Sequence, residues 1–264
     1  HGGRPVGLLE LPDNSIWIAD EYLGLMQYNR EEDRLESFNT PGPNWYGAYG
    51  IYAENENVWV AHGAYNELYQ PQGNWFGISR LTPQGWHSFN GGWFTPFGDS
   101  ITDFVAITKN PVDNSLWAGS LATGLFILYP DDSYELLYKG SPLHRQMLDT
   151  NMVSANSIAP DDQGNMWITQ HMSEKELAVR TKEGKWYHFG TPYQRTLPHS
   201  ANGLLIDKAG HKWFHAAHGP AMVIVYDDNN TIENPADDRH RAFGTAENIP
   251  GTRVHSMAID RTGT

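Results

Sequence analysis

The sequence predicts an all-β protein built from repeated four-stranded sheets, and three observations carry that prediction. Five Trp residues (Trp17, Trp59, Trp117, Trp167 and Trp213) each sit inside a short apolar run: SIWIA, NVWVA, SLWAG, NMWIT and HKWFH. Their spacings of 42, 58, 50 and 46 residues suit a unit of four short strands. Each Trp also follows, by three residues, a position within a turn: Asn14, Glu56, Asn114, Gly164 and Gly210. The load of 26 Gly, 16 Pro and 10 Trp favours strands and turns over helix.

Each repeat opens with a hairpin. Its first strand reads GLLEL, YGIYA, FVAIT, NSIAP or NGLLI, and its second strand carries the Trp. Gly and Asn accept the positive φ that a tight strand-to-strand turn needs. Glu56, in ENENVWV, breaks that rule, so a differently shaped turn is expected in the second repeat. Apolar residues around each Trp are nearly continuous, the pattern of a strand buried on both faces. Third strands are predicted at GLMQYN (24–29), GISRLT (77–82) and GLFILY (124–129). Fourth strands are predicted at GWHSFN (85–90) and GKWYHFG (184–190), and no helix is predicted.

Sheets packed face to face around an axis bury their inner strands on both sides, so the expected architecture is a β-propeller. Residues 1–264 are read as a single propeller domain with repeats of about 40–58 residues, five full and a sixth cut short in HSMAIDRTGT. Gly263 stands where a sixth Trp would follow, and His1 begins in mid-pattern. A closed propeller holds about 4–8 blades, so the chain is expected to be a piece of a longer protein.

Composition excludes some functions. The formal net charge is −13, with 18 Lys and Arg against 31 Asp and Glu, the opposite of a nucleic-acid-binding footprint. The longest apolar runs, GLFILY and AMVIVY, are too short for membrane insertion. Without Cys there is neither a disulfide framework nor thiolate chemistry.

Aromatic residues crowd three loops around the second repeat: NWYGAYG (44–50), GAYNELYQPQGNWF (63–76) and GGWFTPFGD (91–99). Trp45, Tyr46, Tyr49, Trp75, Phe76, Trp93 and Phe94 are therefore candidates for ligand binding, since flat aromatic faces with polar neighbours suit sugar rings. The other reading is that these side chains pin long loops to the scaffold. A second candidate set lies eleven residues before Trp167 and Trp213, at Asn156 and Asn202, with His255 at the equivalent place of the sixth repeat. Such a ring of amides and imidazole at one mouth of the axis can bind polar ligand groups or hold a chain of water.

Other constellations are weaker. His62, His171 and His215 end equivalent strands, with His199, His218 and His255 nearby in the pattern, but none has the spacing of known zinc motifs, and no metal or cofactor is expected. The pairs Asp131–Asp132, Asp161–Asp162, Asp227–Asp228 and Asp237–Asp238 fall in predicted turns, where Asp bonds its own backbone in solvent. DQGNMW (162–167) matches the spacing of the sialidase Asp box, but Pro160 stands at its Ser position and the match is read as accidental. No G-x-S-x-G, Walker loop or H-E-x-x-H is present.

The pattern D-x-x-G-x-x-W-[IVL] followed by GL resembles the two-component regulator propeller repeats of Bacteroidetes proteins. GISRLTPQGWHSFN, residues 97–128, DQGNMWITQ, TKEGKWYHFG and residues 223–264 more specifically resemble the PorZ-like proteins of the type IX secretion system. The resemblance covers nearly the whole chain and matches it to much of the second propeller of that family. It implies a non-catalytic scaffold at the cell surface, associated with the outer membrane. Its implied partners are anionic lipopolysaccharide or another surface glycan, and attachment-complex proteins like PorU, PorV and PorQ. Two alternatives stay open: a periplasmic oligosaccharide-sensing propeller of a hybrid two-component system, and a propeller hydrolase or lyase acting on glycans. The last needs a convergent acid–base pair, and the sequence assembles none.

Overall fold

The computed structural model describes residues 4–20, 24–37, 42–43, 45, 47–89, 101–193, 200–216, 222–249 and 253–260. The chain divides into two compact units, residues 1–43 and 44–264. The first unit is one antiparallel sheet of β1 (Pro5–Glu10), β2 (Ile16–Asp20), β3 (Gly24–Asn29) and β4 (Arg34–Ser37), in that order.

The second unit holds four such sheets. They comprise β5 (Gly50–Glu54), β6 (Asn57–Ala61), β7 (Ile78–Thr82) and β8 (Gly85–Phe89); then β9 (Phe104–Lys109), β10 (Leu116–Ser120), β11 (Leu125–Leu128) and β12 (Tyr134–Leu137). The fourth sheet has β13 (Ser157–Pro160), β14 (Met166–Thr169), β15 (Leu177–Arg180) and β16 (Trp186–Phe189). The fifth has β17 (Ala201–Ile206), β18 (Lys212–Ala216), β19 (Val223–Asp227) and β20 (Arg239–Phe243). All are sequential antiparallel meanders. A single 3₁₀ turn, Thr245–Glu247, is the only helical element among the described residues.

The hairpin chemistry follows the sequence. Asn14, Asn114, Gly164 and Gly210 have φ of 63°, 59°, 86° and 88°. In the second repeat positive φ moves one residue back, to Asn55 at 46°, and the turn shortens to two residues between Glu54 and Asn57. Glu56 is thereby spared the left-handed conformation.

The same turns do a second job that the pattern alone does not show. Asp161 Oδ1 accepts from the backbone N–H of Gln163 (2.9 Å) and Asn165 (2.8 Å), while its Oδ2 accepts from Trp167 Nε1 at 2.9 Å. Asp207 repeats this with Ala209, His211 and Trp213 Nε1, the last at 2.8 Å. The Asp-to-Trp spacing shared by these two repeats is thus a clamp on the indole N–H. In the third repeat Asp113 acts through a relay: it accepts from Ser115 Oγ (2.6 Å), which accepts from Trp117 Nε1 (2.8 Å). Trp59 has no Asp, its N–H has no hydrogen-bond partner, and the Arg80 guanidinium lies 5.1 Å over its ring.

The core of the second unit is made where successive sheets face each other. Trp59 packs with Phe104, Ile107, Leu116 and Phe126 of the third sheet. Trp117 packs with Met166 and Ile168 of the fourth and with Val153 and Ala155 of the segment leading into it, and Trp167 with Leu204, Phe214, Ile224 and Tyr226 around the fifth. These three Trp residues are 5%, 2% and 0% exposed. Trp17 and Trp213 were expected to be buried to the same degree and are only half-buried. For Trp213 the reason is plain: each buried Trp lies against the next sheet, and among the described residues no sheet follows the fifth. Its ring stacks on Phe243 of its own sheet, at 5.9 Å, as Trp59 and Trp167 stack on Phe89 and Phe189 of theirs.

One expectation about turns also needs correction. Asp228 is not a solvated turn carboxylate but is buried, with Lys212 Nζ 2.6 Å from its Oδ1. That ammonium also lies 4.1 Å over the Trp167 ring, so a cation held by an ion pair within the fifth sheet reaches the fourth through an aromatic face.

Candidate ligand-binding site

The first strands β5, β9, β13 and β17 lie side by side in the second unit, and they bound a cavity of about 500 Å³. That volume falls within the range of small-molecule sites, about 300–1,000 Å³. Ile51, Val105 and Ile107 supply an apolar wall; Asn156, Asn202 and His215 supply polar groups, joined by His255 and Ser256. Of the residues singled out in the sequence, Asn156, Asn202, His255 and Tyr49 all line this cavity.

The polar groups are tightly placed. Asn156 is 5% exposed, and its Nδ2 donates to the carbonyl of Ala201 and to Asn202 Oδ1. A carbonyl only accepts, so this contact fixes the amide orientation and turns Oδ1 the other way. That Oδ1 is buried and has no hydrogen-bond partner. His215 is 1% exposed, with Nδ1 3.3 Å from the Ala216 carbonyl. By the same logic Nδ1 carries the proton, leaving Nε2 as a buried acceptor without a partner. Burial, with His255 nearby, holds the His215 pKa below the ordinary imidazole value and keeps the ring neutral. Gly203 makes room for that ring: its φ is +68°, and a Cβ there would stand 2.7 Å from His215 Cδ2.

The aromatic loops form two groups. Trp45 stacks on Phe76 (centroids 5.2 Å apart) and Phe76 on Trp75 (4.9 Å), and Trp75 stays 39% exposed. Tyr49 meets Tyr65 edge-on at 4.9 Å, and Tyr65 stacks on Tyr69 at 4.8 Å. The insertion between β6 and β7 reaches across the unit. Tyr69 lies 6.2 Å from the ring of His171, just past β14, and Tyr65 lines the cavity together with Asn202 of the fifth sheet. Burial raises the Tyr65 pKa, so its hydroxyl stays protonated. The insertion is tied down by the buried Asp103, whose carboxylate accepts from Gly73 N at 2.8 Å and Asn74 N at 2.9 Å.

Tyr46, Trp93 and Phe94 lie outside the described residues, as do His199 and His218. His62 is a structural tie: its ring nitrogens sit 2.7 Å from the Gly47 carbonyl and 2.8 Å from Ser79 Oγ. Among the described residues no cluster of His, Cys, Asp or Glu is arranged to hold a metal ion. No helix among them is long and apolar enough to cross a membrane. Tyr65 was not singled out in the sequence, because the cavity residues it joins, Asn156 and Asn202, come from much later in the chain. Ala106 lines the cavity at the same eleven-residue offset from Trp117 that marks Asn156 and Asn202, so that offset was the available signal.

No protein-family model matches the chain, and no curated protein matches it. Solved structures do share its fold. The chain is similar to PorZ, an essential bacterial surface component of the type IX secretion system of Porphyromonas gingivalis. The identity is 21% and the TM-score 0.79, over 98% of this chain and 37% of that one. It is also similar to virginiamycin B lyase from Staphylococcus aureus, at 15% identity and a TM-score of 0.52, over 91% and 70% of the two chains. The extracellular domain of a hybrid two component system from B. thetaiotaomicron is 15% identical, with a TM-score of 0.49, over 98% and 37%. The chain thus spans 37% of the length of PorZ. A secretion component and a lyase share this architecture, so the fold by itself assigns no activity. In fold, the chain is a PorZ-like β-propeller.

Proposed function

We propose that this chain is a non-catalytic binding and scaffolding propeller of a PorZ-like attachment complex at the bacterial cell surface, associated with the outer membrane. One face meets a surface glycan such as lipopolysaccharide, or attachment-complex proteins of the PorU, PorV and PorQ kind. The observation that carries the reading is the Trp45–Phe76–Trp75 stack, with Trp75 exposed on an insertion anchored by Asp103. A preorganised aromatic surface binds without the entropy cost of ordering a loop. The likeness to PorZ, itself a surface secretion component, supports the setting.

A second reading, a propeller lyase, has one observation in its favour: two imidazoles, His215 and His255, at one cavity. Against it, among the described residues no Asp or Glu lines that cavity to orient or assist a base. Trp75→Ala is expected to weaken binding to extracted surface polysaccharide or to purified attachment-complex proteins, with unchanged melting. Calorimetry showing equal affinity in the folded variant would end the aromatic-face proposal. Turnover of a glycan or lactone, abolished by His215→Ala, would favour the lyase.

A further inference from the structure

The cavity between β5, β9, β13 and β17 is a second site, separate from the Trp75 face and not dependent on its role. Its chemistry is specific. Two acceptors, Asn156 Oδ1 and His215 Nε2, are buried without partners, and a buried acceptor left unmatched is costly. A ligand that satisfies them must bring hydrogen-bond donors. Among the described residues no Lys, Arg, Asp or Glu lines the cavity, so neither an anion nor a cation finds a countercharge among them. The walls alternate aliphatic and aromatic surface, Ile51, Val105, Tyr49 and Tyr65, with amide and imidazole groups. Hydroxyl donors, no net charge and apolar C–H faces together describe one class of small molecule.

From this we infer that the cavity binds a neutral saccharide unit, with ring hydroxyls donating to Asn156 Oδ1 and His215 Nε2 and a C–H face against Tyr65. About 500 Å³ accommodates one or two sugar rings. Asn202 accepts from Asn156 Nδ2 and so helps to position that amide.

The test is a titration of the ¹⁵N-labelled chain with methyl glycosides of glucose, galactose and N-acetylglucosamine, alongside glucuronate and triglycine. At least one neutral glycoside is expected to shift the signals of Asn156, Asn202 and His215 at millimolar concentration. Asn156→Ala should weaken that binding roughly threefold to tenfold, the worth of one hydrogen bond. Because Asn156 also holds the Ala201 carbonyl, its melting is measured in parallel. His255→Ala, at an exposed position, should also weaken binding while leaving the fold intact. No response to any neutral glycoside, or tighter binding of glucuronate or triglycine, overturns the inference. An unchanged Trp75→Ala phenotype would bear only on the outer face.

Discussion

An indole buried between sheets must place one N–H, and this chain solves the problem three ways. Asp161 and Asp207 accept it directly, Asp113 accepts it through Ser115, and Trp59 leaves it unmatched beneath Arg80. Asp161→Ala strips a buried donor of its partner and is expected to cost about 1–3 kcal/mol in denaturant unfolding. Trp167→Ala opens a void between two sheets and should cost roughly 3–5 kcal/mol. Trp213→Ala, at a half-buried position, should cost clearly less, and equal losses at the two sites would contradict the packing described. The turn spacing was legible in the sequence because positive φ selects Gly and Asn at a fixed place. The clamp was not, because Asp in a turn is already explained by its own backbone. Asp228 was misread for the same reason: its partner Lys212 lies on another strand, and composition cannot pair them.

At the scale of elements, the 63–76 insertion is the feature that differs most from its neighbours. Its length and aromatic load were plain in the sequence. That Trp75 stays exposed while Tyr65 and Tyr69 turn inward was not, because the residues they turn toward, Asn202 at the cavity and His171 beside Tyr69, come from later in the chain. Asp103 holds this element through two backbone N–H groups. Asp103→Ala should release it, visible as faster proteolysis within residues 63–76 while the strands of the other sheets keep their hydrogen-exchange protection. Unchanged cleavage would mean that the aromatic contacts alone suffice to hold the loop.

For the whole molecule, acid and salt are the informative variables. His188 stacks on His144 at 4.1 Å, and burial together with that neighbour lowers its pKa from 6.5 to about 4. Its neutral form belongs to the fold, so the unfolded chain takes up the proton first as pH falls. Stability therefore declines from about pH 6.5 down to about 4 and then levels for this group. Discounted for partial exposure, the loss is about 1–2 kcal/mol, and His188→Phe should flatten that part of the melting profile. Burial also lowers His62 and His144, adding to the same slope. The net charge of −13 gives a salt prediction. If the aromatic face binds anionic polysaccharide by stacking, raising salt from about 0.05 to about 0.5 M should strengthen binding by screening repulsion. A loss of affinity over that range would point instead to a local basic contact.

The unequal fates of the repeated indoles have a practical consequence. Trp167 and Trp213 donate to carboxylates, Trp117 to a hydroxyl and Trp59 to nothing. Each of the four sheets of the second unit thus carries its own spectroscopic reporter, an indole N–H resonance set by its own local surroundings. Opening of one blade, or ligand entry beside it, can be followed at that single side chain without any label beyond ¹⁵N.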